Sequence, residues 1–289
     1  MIMNNSLFPE EEKTASQKQT IGKTDITYIQ ASSILTESKG FLDGYDYSLN
    51  PYSGCSFGCN YCYAAFFATT QDQKENWGYW VKVKENALQL LKKFRKKKLS
   101  DKTIYLSSVT DPYQPIEKTI QLTRSILQEL LDYHQIKLVI QTRSPLVAND
   151  IDILKQFDHV QINVTITTDS EEVRKVYEPL CPSNKVRLKA ATKINEAGLN
   201  TCITMTPLLP IADAEAFAKS LVATGVNHFI VQPFHTSKGK FASSTREQSL
   251  IINKKYNWDN AKYLETLDVL KAHLPHLGEG KEGFKPIFW

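Results

Sequence analysis

The sequence predicts an α/β protein in which a parallel sheet is wrapped by helices, and two patterns predict it. From residue 103 onward, short β-branched and aromatic runs take turns with helical patterns, as βαβ connections require. Residues 160–167 are also two-faced: Val160, Ile162, Val164 and Ile166 point one way, Gln161, Asn163, Thr165 and Thr167 the other. In a closed or partly closed barrel the apolar face meets helices and the polar face lines the lumen. A chain of 289 residues suits one large domain with appendages, since barrel-type domains reach about 250 residues undivided.

Taken in order, residues 1–30 read as a flexible polar arm carrying a short extended piece at 26–30. A cysteine-rich loop follows at 50–65, with a helix expected at 64–70 and an apolar-alternating stretch at 80–83. Ala87, Leu88, Leu90, Leu91 and Phe94 give a helix over 86–97 its buried side. Strands are then expected at 103–109, 137–142, 160–167, 201–206 and 228–232. Helices are expected at 119–133, 151–157, 171–177, 185–197, 213–223 and 260–273, with Gly198 as the C-terminal stop of the fourth. The barrel is bounded at 31–250, and 251–289 reads as a C-terminal helix and tail. Phe288 and Trp289 at its end suggest docking by hydrophobic burial.

Composition excludes several classes. Hydrophobic residues at 42% and charged residues at 23% are those of a globular protein, not a collagenous or disordered one. No run of about 18 apolar residues and no signal-peptide core is present, so a cytoplasmic protein with no membrane partner is expected. The formal charge of +4 neither requires nor opposes a nucleic-acid partner. Lys92, Lys93, Arg95, Lys96, Lys97 and Lys98 close a helical pattern, where cations suit the helix dipole, and read as a solvated face.

Three of the five cysteines, Cys55, Cys59 and Cys62, lie in one loop with Gly54 and Gly58 to turn the backbone. Spacings of four and then three residues aim three thiolates at one point, a ligand spacing rather than a packing period. Zinc is the weaker reading, because a structural zinc site is closed by four ligands, and Cys181 and Cys202 are distant in sequence without a partner at ligand spacing. Three thiolates with no fourth suggest an iron–sulfur cluster with one open iron, in a reducing compartment and sensitive to oxygen. Phe57, Tyr61 and Tyr63 flank the cysteines and would exclude water.

Cys55, Cys59 and Cys62 match the CxxxCxxC pattern of the radical S-adenosylmethionine (SAM) superfamily, and residues 50–63 resemble the signature of its spore-photolyase-like branch. Residues 109–117 (VTDPYQPIE), 122–124 (LTR), 141–145 (QTRSP) and 178–188 (EPLCPSNKVRL) agree, so the likeness spans roughly residues 30–240. With roughly six strand–helix units, the resemblance implies a partial (βα)6 TIM-type barrel. It implies a [4Fe-4S] cluster that cleaves SAM reductively to a 5′-deoxyadenosyl radical, fed by a flavodoxin- or ferredoxin-like electron donor. The substrate is a nucleic acid by analogy with the branch, or else a small metabolite or peptide. An electron-transfer protein without turnover is the rival of another class.

Functional residues of parallel barrels gather at the C-terminal ends of strands. Thr110 and Asp111 stand where the superfamily contacts the methionine amino group, although an Asp-Pro pair also makes turns. Arg143, where the branch more often has lysine, would clamp the SAM carboxylate, with Arg187 as a second partner. Asn163 and Thr165 would meet the ribose or carboxylate, and Tyr61 joins these cofactor-binding candidates. Thr204, Met205 and Pro207 are nearest the adenine by position, although a core role suits them better. Spore photolyases use a cysteine downstream of the cluster loop as hydrogen donor, but no cysteine falls between Ala64 and Leu180, and Ser107 and Ser108 occupy that neighbourhood. Cys181 is the remaining candidate donor, a structural cysteine being its plainer role.

Overall fold

The computed structural model of the protein describes residues 19–235 and 247–285. Twelve strands occur among them: β1 (Gln19–Ile21), β2 (Thr24–Ile29), β3 (Leu35–Glu37), β4 (Tyr47–Leu49), β5 (Tyr52–Gly54), β6 (Trp80–Lys84), β7 (Ser100–Leu106), β8 (Gln135–Thr142), β9 (His159–Thr165), β10 (Asn200–Met205), β11 (His228–Val231) and β12 (Leu277–Glu279). Eight of them form one open sheet in the order β12-β11-β10-β9-β8-β7-β4-β3. Every pair from β4 to β12 is parallel, and only β3 runs antiparallel, on β4. Helices connect the parallel strands, so the fold is α/β with the partial-barrel architecture expected.

The alternation along β9 sorts as its sequence predicts. Ile162 and Val164 join Ile104, Leu106, Leu138, Ile140 and Ile203 in the main core, packed with Ile126, Leu127 and Leu130 of the helix Leu122–Tyr133. The opposite faces carry the polar set: Gln141 donates to the hydroxyls of Thr165 (2.5 Å) and Thr204 (2.9 Å) and accepts from Tyr105 (2.9 Å). Lumen polarity thus spans four neighbouring strands, with Tyr105, Gln141, Thr165 and Thr204 joined in one hydrogen-bonded chain.

Several expected elements are corrected. Residues 19–29, assigned to the arm, form two strands of a second sheet ordered β1-β2-β6-β5; residues 1–18 lie outside the described ones. The helix expected at 64–70 is a short 3-10 turn, Tyr63–Phe67, followed by the helix Gln71–Glu75. The helix over 86–97 is Ala87–Lys92 with a 3-10 extension, Lys93–Lys96. Gln121 takes φ +49°, which breaks the 119–133 helix into Glu117–Ile120 and Leu122–Tyr133. The sheet also runs past residue 250, because β12 pairs with β11. Phe288 and Trp289 lie outside the described residues.

Candidate active site

The cysteine loop begins where β5 leaves the small sheet. Gly54 has φ +81°, and a Cβ there would lie 2.6 Å from the Trp80 ring and carbonyl, so only glycine lets the chain turn into Cys55. Gly58, with φ +56°, lies flat against Gly78, where a Cβ would be 3.0 Å from the Gly78 Cα. The loop is then latched from both sides. Thr110 donates to the Gly54 carbonyl (2.6 Å) and Gln114 accepts from the Ser56 N–H (2.6 Å). Asn50 joins Ser108 and the Val109 N–H, while Asn60 binds the carbonyls of Val176 and Tyr177 at the end of the helix Glu171–Tyr177.

Cys55 and Cys59 are buried and Cys62 half-buried. Burial raises the Cys55 thiol well above its ordinary value, with Asp111, Cys59 and Cys62 adding to the shift. Burial, then Cys59, pushes Cys62 up to about 11. A hydrogen bond from Cys181 pulls Cys59 the other way against its own burial, helped by Arg143. Cys59 thus opposes the ionisation of both Cys55 and Cys62, and a cationic centre beside the three sulfurs would offset it. Among the described residues no three His, Cys, Asp or Glu side chains close on a single metal ion. The donor set itself, three thiols on one glycine-turned loop, fits an iron–sulfur cluster.

Beside this loop lies a charge network centred on Glu178, a residue that the sequence does not single out. Glu178, fully buried, accepts from the Tyr61 hydroxyl and from Thr167 (3.1 Å). Arg187 lies 2.5 Å from its other oxygen, off the line of a hydrogen bond, and Arg143 reaches the first at 3.4 Å. Burial works to raise the Glu178 carboxyl, but the charges of Arg187 and Arg143 and the Tyr61 hydroxyl outweigh it and push it down to about 2. Arg143 also donates to the Tyr61 oxygen (3.0 Å) and stands 5.7 Å from that ring's centre. Its side chain keeps 19% exposure, whereas that of Arg187 has none.

These contacts revise the roles expected for several residues. Arg187 is sealed, bound to the carbonyls of Pro182 (2.9 Å) and Thr165 (3.2 Å) besides Glu178, which turns it towards the protein interior's own charge. The Asp111 carboxylate accepts from Thr142, the Arg143 N–H and the Tyr113 N–H, and so fixes the end of β8. The Thr110 hydroxyl holds the cysteine loop, and that of Thr165 belongs to the lumen network. Asn163 is buried in the lumen with its oxygen accepting from Gln161 (2.8 Å). Met205 is core, as its position suggested. Cys181, remote in sequence, sits with its sulfur 3.5 Å from that of Cys59. Gln114 and Glu178 are the functional residues that sequence reasoning missed, although both lie inside the quoted motifs.

The sequence model of the radical SAM superfamily matches residues 49–221. The chain belongs to the radical SAM superfamily. It is therefore a radical SAM enzyme, and membership implies an iron–sulfur cluster and SAM as its cofactors. An uncharacterised protein of Methanocaldococcus jannaschii is 37% identical over 65% of this chain and 69% of its own. One from Acidianus two-tailed virus is 30% identical over 74% of each. Among solved structures, a spore photoproduct lyase variant aligns with a TM-score of 0.60 and 15% identity, over 88% of this chain and 81% of its own. A second variant of that enzyme, with bound SAM and dinucleoside spore photoproduct, aligns with a TM-score of 0.59 over the same shares. The radical SAM fold is thus shared with spore photoproduct lyase. No described helix is long and apolar enough to cross a membrane.

Proposed function

We propose that Cys55, Cys59 and Cys62 hold a [4Fe-4S] cluster with one open iron, and that Arg143 receives the SAM carboxylate beside it. When bound, cluster and SAM together supply one-electron reductive cleavage to a 5′-deoxyadenosyl radical that abstracts a hydrogen atom from substrate. This chain's residues do the rest. The latches from Thr110, Gln114 and Asn60 fix the cysteine loop, Tyr61 is buried within it, and the Tyr63 hydroxyl is tied to the Ser108 carbonyl. Arg143 is the partly exposed cation at a strand end, oriented by Tyr61 and by the buried Glu178. A planar guanidinium so held offers a carboxylate two parallel hydrogen bonds. The observation that carries the reading is this pairing of a latched three-thiol loop with a partly exposed arginine at the end of β8, held by Tyr61 of that loop.

For the electron source we propose a flavodoxin- or ferredoxin-like protein, and for the substrate a nucleic acid, on the fold shared with spore photoproduct lyase, whose structure holds a dinucleoside photoproduct. The stretch from Ala64 to Leu180 has no cysteine, so repair by a hydrogen donor from that stretch is not proposed.

The test is anaerobic. Wild type and Cys59→Ala are reconstituted with iron and sulfide, then given dithionite and SAM, and 5′-deoxyadenosine and methionine are measured by mass spectrometry. Both products are expected from wild type alone. An intact reduced cluster that neither binds nor cleaves SAM would overturn the assignment in favour of electron transfer. Binding to DNA or RNA that weakens linearly in log affinity against log salt supports the substrate class; no such binding turns the search to small metabolites and peptides.

A further inference from the structure

Cys181 has no part in the chemistry above, yet the fold puts it in a particular place. Its residue is buried, and its single S–H has two acceptors within reach, the Cys59 sulfur at 3.5 Å and the Phe57 carbonyl at 3.7 Å. Its backbone is clamped on both sides: the N–H donates to the Glu178 carbonyl (3.1 Å), and Arg174 donates to the Cys181 carbonyl (2.9 Å) and to that of Glu178 (3.0 Å). The next carbonyl, that of Pro182, is held by Arg187 (2.9 Å). Two buried arginines thus immobilise one turn, and its outcome is a thiol pressed against one cysteine of the loop.

We propose that Cys181 is a positioning residue for the cluster, donating an S–H···S hydrogen bond to the Cys59 sulfur and thereby raising the cluster's reduction potential. This rests on Cys59 being a cluster ligand. A hydrogen bond to a ligand sulfur favours the more negative, reduced state, because charge added on reduction is spread over the sulfurs. The thiol is a weak donor, so the effect is moderate. Cys202, the other cysteine outside the loop, packs in the cluster of Tyr45, Tyr105, Val139, Ile230 and Phe284 with its sulfur 3.8 Å from the Ile203 carbonyl, and carries no such role.

The experiment compares reconstituted wild type, Cys181→Ala and Cys181→Ser by anaerobic redox titration followed by electron paramagnetic resonance, with iron and sulfide measured on the same samples. All three are expected to hold equal iron and sulfide. At a fixed potential, Cys181→Ala should show an about three- to tenfold smaller ratio of reduced to oxidised cluster, roughly 30–60 mV for a one-electron couple. Cys181→Ser, which keeps a donor, should recover all or part of the difference. An unchanged potential in a fully loaded Cys181→Ala overturns the proposal. Loss of iron from both variants overturns it too, making Cys181 a ligand. Full iron retention in Cys59→Ala would instead sink the ligand assignment beneath it, an outcome visible from iron content alone.

Discussion

At the residue scale, Glu178 decides how the site is held. Its carboxylate has no access to water and answers to two guanidiniums and two hydroxyls. Because its folded value is depressed, its stabilising contribution is present above the ordinary range near pH 4.5 and is lost as pH falls from there towards about 2. Glu178→Gln should cost about 3–5 kcal/mol at pH 7, since the sealed Arg187 keeps its charge without a counter-charge. Urea unfolding across pH 3–7 checks both parts: the variant should lose the wild type's decline in acid and start from a lower stability. Similar midpoints at pH 7 would mean that Arg187 is satisfied by carbonyls alone. Sequence reading found the three cysteines because ligand spacing is local. It did not show the partners of Arg187 and Asp111, because what occupies a buried charge is set by groups 9 and 31 residues away, Glu178 and Thr142.

At the scale of the element, two glycines with the same dihedral separate backbone strain from crowding. Gly54 and Gly198 both have φ +81°, but a Cβ on Gly198 meets nothing within 4 Å, whereas on Gly54 it would overlap Trp80. Gly198→Ala should cost about 1 kcal/mol, from the dihedral alone, and leave cluster content unchanged. Gly54→Ala should cost more and also lower the iron bound per chain, because the turn that presents Cys55 must move. Equal iron content in the two variants would show that the loop is positioned by its latches and not by this turn. The same locality explains what was legible here. Long alternating strands such as β8 and β9 declare themselves, while β4 and β12, of three residues each, are too short for any periodicity. The 3-10 turn Tyr63–Phe67 replaces a helix for a tertiary reason: the Tyr63 hydroxyl is tied to the Ser108 carbonyl across the site.

At the scale of the whole molecule, the sheet is open between β3 and β12, and what crosses the seam comes from the two ends of the described chain. The turn Gly280–Gly283 folds back after β12 so that the Phe284 carbonyl accepts from the Tyr45 hydroxyl (2.7 Å) and its ring meets Phe41 edge-on at 5.3 Å. Lys281 pairs with Asp43 at 2.6 Å. Phe284 also packs with Tyr105, Val139, Cys202 and Ile230 inside the barrel, where its burial substitutes for the missing strands. Residues 41–45 precede the N-terminal end of β4, whereas the cysteine loop follows its C-terminal end, so closure and the proposed site occupy opposite ends of one strand. Phe284→Ala should therefore destabilise the fold by about 3 kcal/mol, read as a lower unfolding midpoint, while iron content and SAM cleavage at 25 °C stay at wild-type levels. No sequence pattern announces this, since a lone phenylalanine near the end of a chain carries no register, and its partners are 179 and 239 residues distant in Tyr105 and Tyr45. If iron were lost along with stability, the two ends of β4 would be mechanically coupled, and the seam would have to be counted as part of the site.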